Sequence, residues 1–243
     1  MKNLVKAVLR NFGYELRRIT GLASLEGQLI TLLKSHEIGL VFDIGANAGQ
    51  FGNTLRHFGY KGKIVSFEPQ SDAWETLNNV SSIDPNWFCA PRTAIGSTTG
   101  QVKLNVSENS VSSSFLSIGL DHLLAAPTSR YVRSEEVQMF RLDDLAPQYV
   151  QQGVPYAIKI DVQGYEREVI IGALDSLFGA KFVVIEMSLT ELYEGQRLID
   201  ETISYLRSLN FNLWGLFPAF LSVKTGRLLQ VDGVFVQERK YLG

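Results

Sequence analysis

Cysteine is nearly absent from this sequence: Cys89 stands alone among 243 residues. A single thiol excludes an intrachain disulfide framework and a cysteine-rich zinc site, which fits a reducing compartment. Histidine is scarce too, with His36, His57 and His122 the full set, and no spacing of these with acidic residues specifies a metal. No metal site is expected. Long apolar runs are also missing. None reaches the roughly 18 residues needed to span a bilayer, and the N-terminus lacks the continuous apolar core of a signal peptide. Neither charge is in marked excess, with 23 Lys and Arg against 25 Asp and Glu. The global balance therefore gives no reason to expect nucleic acid, whose phosphates demand a basic surface. Internal repeats and low-complexity tracts do not occur. A soluble, cytoplasmic protein is expected.

What is present is enough apolar residue, 45% of the chain, to bury a full core. The economical division is one domain over 37–243 preceded by a helical appendage over 1–36. The opening "MKNLVKAVLRNFGYELRRI" carries Lys2, Lys6, Arg10, Arg17 and Arg18 against Glu15, with Leu4, Val8, Phe12, Leu16 and Ile19 at helical spacing. Such a helix either packs on the domain or lies on an anionic membrane surface through residues 1–20.

After a second helix, "LEGQLITLLKS", short apolar runs alternate with polar helical segments, the pattern of an α/β protein. The expected strands are "LVFDI" (40–44), "KIVSFE" (63–68), "NWFCAPR" (86–92), "YAIKID" (156–161), "KFVVIE" (181–186), "FNLWGLF" (211–217) and "GVFVQ" (233–237). Helices are expected at about 50–58, 71–80, 165–177 and 196–208. The connections between the early strands are long enough for right-handed crossovers, so those strands should be mostly parallel. The last two are joined by a segment containing Pro218 and "KTG", which predicts an antiparallel C-terminal hairpin. Trp214 and Phe217 are expected in core and hairpin packing. The sum is a seven-stranded, mostly parallel sheet of Rossmann-like type, distinct from the all-parallel sheet of dinucleotide dehydrogenases. Residues 100–145 read as an insertion over the carboxyl ends of the strands.

"DIGANAGQFG" leaves the first strand at its carboxyl end, where open α/β sheets bind ligands. Gly45, Ala46 and Gly49 let a ligand approach the backbone closely, although short glycine turns also serve packing alone. Asn47 occupies the second glycine position of G-x-G-x-x-G, so the dinucleotide fingerprint is incomplete. Asp43 would repel a pyrophosphate but accept hydrogen bonds from a cationic amino group. Glu68, closing the second strand, can bind both ribose hydroxyls. Both requirements meet in S-adenosylmethionine. Pro69 and Thr93 are assigned to the same cofactor site.

The segments "VFDIGANAGQFG", "SFEP", "NSVSSSF", "RLDDL", "IKIDVQGYEREVIIGA", "IEMSLTELYEGQ" and "DGVFV" occur in this order. Together they resemble the FkbM family of S-adenosylmethionine-dependent methyltransferases over about 40–237. The resemblance implies a class I methyltransferase fold and O-methylation of a hydroxyl, on a glycan, a lipid-linked sugar or a secondary metabolite. The basic N-terminal segment is similar to that of members acting on surface glycans or glycolipids. Where the family motif often has Glu, this chain has Gln163, which argues against a catalytic acid or metal ligand there.

In "YAIKID", alternation puts Ala157, Lys159 and Asp161 on one side of a strand buried on both faces. A buried lysine needs a partner, and Asp161 or Glu186, the latter also assigned to substrate binding, can supply it. Asp161 is the first candidate for taking the proton of the acceptor hydroxyl, with Lys159 orienting it and His122 second. A purely structural ion pair and helix cap is the competing reading. Ser112 and Ser113 either form ordinary turns or bind a polar substrate. Tyr193 and Glu194 in "LYEGQ" are expected to line the acceptor pocket, Tyr193 stacking on a sugar ring. Two other functions compete with a methyltransferase: a non-catalytic scaffold on the same fold, and an NAD-dependent oxidoreductase. The sequence carries no signal for oligomeric state.

Overall fold

The computed structural model describes Phe12 and residues 24–238. Apart from Phe12, the basic helix expected within the first 20 residues lies outside them. The seven strands of the main sheet are β1 (Leu40–Ile44), β2 (Lys63–Phe67), β3 (Trp87–Cys89), β7 (Tyr156–Ile160), β8 (Phe182–Ser188), β9 (Phe211–Leu221) and β10 (Leu228–Gln237). Their order across the sheet is β3-β2-β1-β7-β8-β10-β9. Neighbours pair parallel from β3 through β8, and β10 pairs antiparallel with both β8 and β9. The result is the mostly parallel sheet with an antiparallel C-terminal hairpin expected of a class I methyltransferase.

The central strands are apolar on both faces because helices cover both. On one side α1 (Leu25–Ser35), α2 (Gln50–His57) and α3 (Ser71–Ser81) bring Leu29, Leu32, Leu33, Leu55 and Leu77 onto Val41, Ile64, Ala157 and Val184. α1, assigned to the appendage from sequence, is thus packed against the sheet, its first turn capped by Ser24 accepting from the Gly27 N–H at 3.2 Å. On the other side α6 (Glu166–Ile171), α7 (Leu174–Gly179) and α8 (Ile199–Ser208) bring Val169, Ile170, Leu177 and Leu206 onto Phe42, Ile44, Ile158, Ile160 and Ile185.

Two expectations need correction. The single helix over 165–177 is two, broken at Gly172, where a Cβ would come 1.8 Å from the Gly96 carbonyl oxygen. Glycine there admits the close approach of the Gly96 backbone. Trp214 is 58% exposed on β9, which forms one edge of the sheet, whereas Phe217 does pack inward beneath α1.

The insertion joins β4 (Ala94–Ile95), just before it, in a three-stranded sheet with β5 (Gly100–Ser107) and β6 (Tyr131–Phe140), in the order β4-β6-β5. Ala94, Leu104, Val106, Val137 and Met139 form its small core. The loop after β5 and the short α4 (Leu120–Ala125) face the carboxyl ends of the main strands across a cavity of about 410 Å³. No helix among the described residues is long and apolar enough to cross a membrane.

Candidate active site

The cavity lies where β1, β2, β7 and β8 end, and its first wall is the glycine loop. Gly45 and Gly49 hold φ of +75° and +88°, and Asn47 between them holds +47°. A Cβ on Gly45 would lie 1.8 Å from the Asp161 carbonyl oxygen, so glycine is required there by space as well as by conformation. Asparagine is among the few residues that tolerate the left-handed region, which explains its place in the loop. Its Oδ1 accepts from the Ala48 N–H at 2.8 Å and from Gln50 Nε2 at 3.0 Å. The Gly45 and Ala46 N–H groups donate to Phe67 O at 3.0 and 3.1 Å, tying the loop to the end of β2.

Glu68 follows directly. Its Oε2 accepts from the Asn47 N–H and its Oε1 from the Gln70 N–H, each at 2.8 Å, so the carboxylate is fixed against the cavity wall. Burial pushes its pKa up to about 7 even against those two hydrogen bonds. Pro69 and Thr93 line the cavity beside it. Asp43 does not. Its side chain is wholly buried beneath the floor, with Ser66 Oγ donating to Oδ2 at 3.3 Å, because β1 directs it toward Lys159 rather than into the open space. The direct contact expected between Asp43 and a ligand's amino group is therefore replaced by a contact within the protein.

Lys159 Nζ donates to Gly45 O at 2.9 Å and stands 3.3 Å from Asp43 Oδ1 and 3.4 Å from Asp161 Oδ2. Burial alone would lower its pKa, but the Asp161 and Asp43 carboxylates outweigh burial and raise it. Lys159 thus pairs with Asp161, as expected, and with Asp43 in place of Glu186. Glu186 is held instead by two amides: Gln163 Nε2 at 2.9 Å and Gln230 Nε2 at 2.6 Å, both donating to Oε2. Burial and the neighbouring Asp161, Glu166 and Asp232 raise its pKa well above the ordinary value.

Gln163, at φ +54°, joins these groups. Its Nε2 also donates to Asp161 Oδ1 at 2.8 Å, and its Oε1 accepts from the Tyr193 hydroxyl at 2.9 Å. An amide can donate to both carboxylates; an ionised glutamate in its place could not. Glu166 shapes the same turn, its Oε1 accepting from the Val162 and Gly164 N–H groups, each at 3.1 Å.

The remaining expectations fare unevenly. His122 lines the cavity at 3% exposure, between the rings of Tyr193 and Phe220, and burial lowers its pKa to about 4. Ser112 and Ser113 line it as well, but their hydroxyls are engaged in the loop. Ser112 Oγ accepts from Asn109 Nδ2 at 3.1 Å, and Ser113 Oγ donates to Ser110 O at 3.0 Å. Tyr193 is fully buried beneath Gly164 and Gln163, so it supports the wall rather than stacking on a ligand. Glu194 is exposed and does not border the cavity, because Gly195 at φ +75° turns the chain outward beside it. Gln230 and Asp232 on β10 border the cavity without having been singled out from sequence. Asp232 is the first residue of "DGVFV", the one available signal. Among the described residues no group of three or more His, Cys, Asp or Glu is arranged to hold a metal ion.

These acceptors suit a nucleoside that carries positive charge. Glu68 faces the space beside a backbone loop that tolerates close approach, and Asp161, Glu186 and Asp232 line the far wall. A pyrophosphate would meet those carboxylates with no uncommitted cation among the described lining residues to offset them. A model of the methyltransferase FkbM domain matches residues 43–213. The 2-O-methyltransferase NoeI of Sinorhizobium fredii is 26% identical over 217 residues, covering 86% of this chain and 87% of that protein. The hexuronic acid methyltransferase AglP of Haloferax volcanii is 24% identical over 180 residues, covering 71% of this chain and 66% of that protein. Among solved structures, an rRNA methylase from Streptococcus thermophilus has a TM-score of 0.48 at 11% identity, covering 90% of this chain and 100% of that one. The family match contains the glycine loop, Glu68 and the Asp161–Glu186 edge of the cavity, and on it the chain belongs to the FkbM methyltransferase family.

Proposed function

We propose that this S-adenosylmethionine-dependent O-methyltransferase acts on a hydroxyl of a sugar, either free, within a glycan or linked to a lipid. The observation that carries the reading is the meeting of Glu68 and the glycine loop with Asp161 and Glu186 on one cavity. The relatives support it, since one is named for 2-O-methylation and the other for a hexuronic acid.

S-adenosylmethionine, when bound, supplies an electrophilic methyl group on a sulfonium. Glu68 would take the ribose hydroxyls, and the loop from Gly45 to Asn47 would hold the nucleoside. Asp161 Oδ2 accepts the proton of the acceptor hydroxyl. Lys159, 3.4 Å away, holds that carboxylate in place, and Gln163 fixes its other oxygen. Alignment of the oxygen with the methyl carbon then does most of the remaining work. Residues 1–20, basic and apolar on opposite sides of a helical pattern, bring the enzyme to an anionic membrane surface. Deleting them should abolish vesicle binding and leave cofactor affinity intact.

Calorimetric titration with S-adenosylmethionine, S-adenosylhomocysteine and NAD tests the core of the reading. Binding of both adenosyl ligands and not of NAD is expected; saturable NAD binding alone would overturn it.

A further inference from the structure

If a sugar hydroxyl is methylated in this cavity, as proposed above, the charges on its walls restrict which sugar. Among the described residues lining it, Glu68, Asp161, Glu186 and Asp232 are acidic, and Lys159 is the one cation. That cation is already committed to Gly45 O, Asp43 and Asp161, at 2.9, 3.3 and 3.4 Å. The bound donor brings a single net positive charge, which the neighbouring carboxylates offset. The wall supplied by the insertion, from Asn109 to Ala126, adds no charged side chain. Its one titratable group is His122, neutral near pH 7 because burial disfavours the imidazolium. An anionic group brought here would lose its hydration and find no cationic partner among the described lining residues.

The same wall offers something to an uncharged ring. His122 lines the cavity at 3% exposure, and its Nδ1 is buried without a hydrogen-bond partner. Buried polar atoms are nearly always satisfied, so an unmatched one on a cavity wall points to a ligand group that completes it. Across from it, Asp161 and Glu186 are acceptors for ring hydroxyls.

We infer that the acceptor subsite is the space between His122 and the Asp161–Glu186 edge, that it takes an uncharged sugar ring, and that it excludes rings bearing a carboxylate or phosphate. Selectivity comes from the acidic lining and from the lack, among the described lining residues, of a cation free for the acceptor, and His122 is the hydrogen-bonding contact on the insertion side.

The test uses the full chain saturated with S-adenosylhomocysteine and matched pairs of methyl glycosides: glucoside with glucuronide, galactoside with galacturonide, mannoside with mannuronide. Binding is read by saturation-transfer NMR titration, with cofactor binding measured by calorimetry on the same sample. At least one neutral glycoside should bind saturably, and at least about tenfold more tightly than its uronide, as expected when like charges are brought together. A uronide that binds as well as its neutral partner would overturn the inference. So would failure of every neutral glycoside to bind while the cofactor binds normally. Loss of cofactor binding would instead fault the methyltransferase reading, so the two failures are distinguishable. Replacing Asp232→Asn should narrow the preference for neutral rings, and an unchanged ratio in a folded, cofactor-binding variant would count against it. His122→Leu should weaken the neutral glycoside by roughly three- to tenfold, the scale of one neutral hydrogen bond, with cofactor affinity retained. Unchanged glycoside affinity in that variant would remove His122 from the site.

Discussion

Asp43 and Lys159 stand directly opposite each other on neighbouring parallel strands, with the ammonium 3.3 Å from a carboxylate wholly shielded from solvent. The pair fixes the floor of the cavity. Lys159→Met should therefore strand a buried carboxylate and destabilise the fold by about 3–5 kcal/mol, read by urea denaturation. Adding Asp43→Leu should recover most of that loss, because removing both partners avoids the unpaired charge. No recovery in the double variant would show that the lysine acts through something other than this pair.

Asp161 is set apart from that floor by being a third exposed at its side chain. Asp161→Asn keeps the shape and most of the hydrogen bonding but removes the proton acceptor. S-adenosylmethionine affinity should change little, while methyl transfer should fall by roughly 10² to 10⁴. Near-normal turnover in the folded variant would eliminate Asp161 as the base and make Glu186→Gln the next variant to measure.

Glu68 gives the cofactor site a pH dependence of known sign. In the free protein burial holds its carboxyl at about 7, so near neutrality it is partly protonated. Ribose hydroxyls donate to the ionised form and lower its pKa in the complex. Affinity should thus be full above about pH 7 and fall as the pH drops below it. Calorimetry at about pH 6 and about pH 8 should show tighter binding at the higher value, and Glu68→Gln should flatten the difference. Glu68→Ala should cost roughly 1.5 to 3 kcal/mol of binding energy, about ten- to 150-fold in affinity.

The two loop glycines should differ in their tolerance of alanine. On Gly45 the added carbon meets backbone at 1.8 Å, whereas on Gly49 it meets the Trp87 and Leu77 side chains at 3.1 and 3.2 Å. Both share the left-handed strain of about 1–3 kcal/mol. Gly45→Ala must in addition push the loop away from Asp161, so it should lose cofactor binding in the protein that remains folded. Gly49→Ala should mainly lower thermal stability. Equal cofactor affinity in the two variants would contradict this distinction.

Much of this was legible in the sequence, for local reasons. "LVFDI" and "YAIKID" are apolar enough to be covered on both faces, and the one lysine among them announces a buried charge. The Asp43 partner was not legible. It lies across the sheet, while Asp161 two positions along the chain offered a nearer explanation. Tyr193 was misplaced for a related reason: "LYEGQ" has the composition of an open loop, but Gln163 and Gly164 draw the ring inward from another part of the chain. Gln230 and Asp232 owe their place in the cavity to the order of strands in the sheet, which composition and periodicity do not encode.

The position of β10 has a consequence for how the enzyme is made. It lies between β8 and β9 yet follows both in the chain, so β9 has no partner in the sheet until β10 slides in beside β8. Gln230 and Asp232 come with the strand that fills this slot, so their wall of the cavity exists only when the hairpin has closed against β8, whereas the glycine loop and Asp161 sit on strands that pair without it.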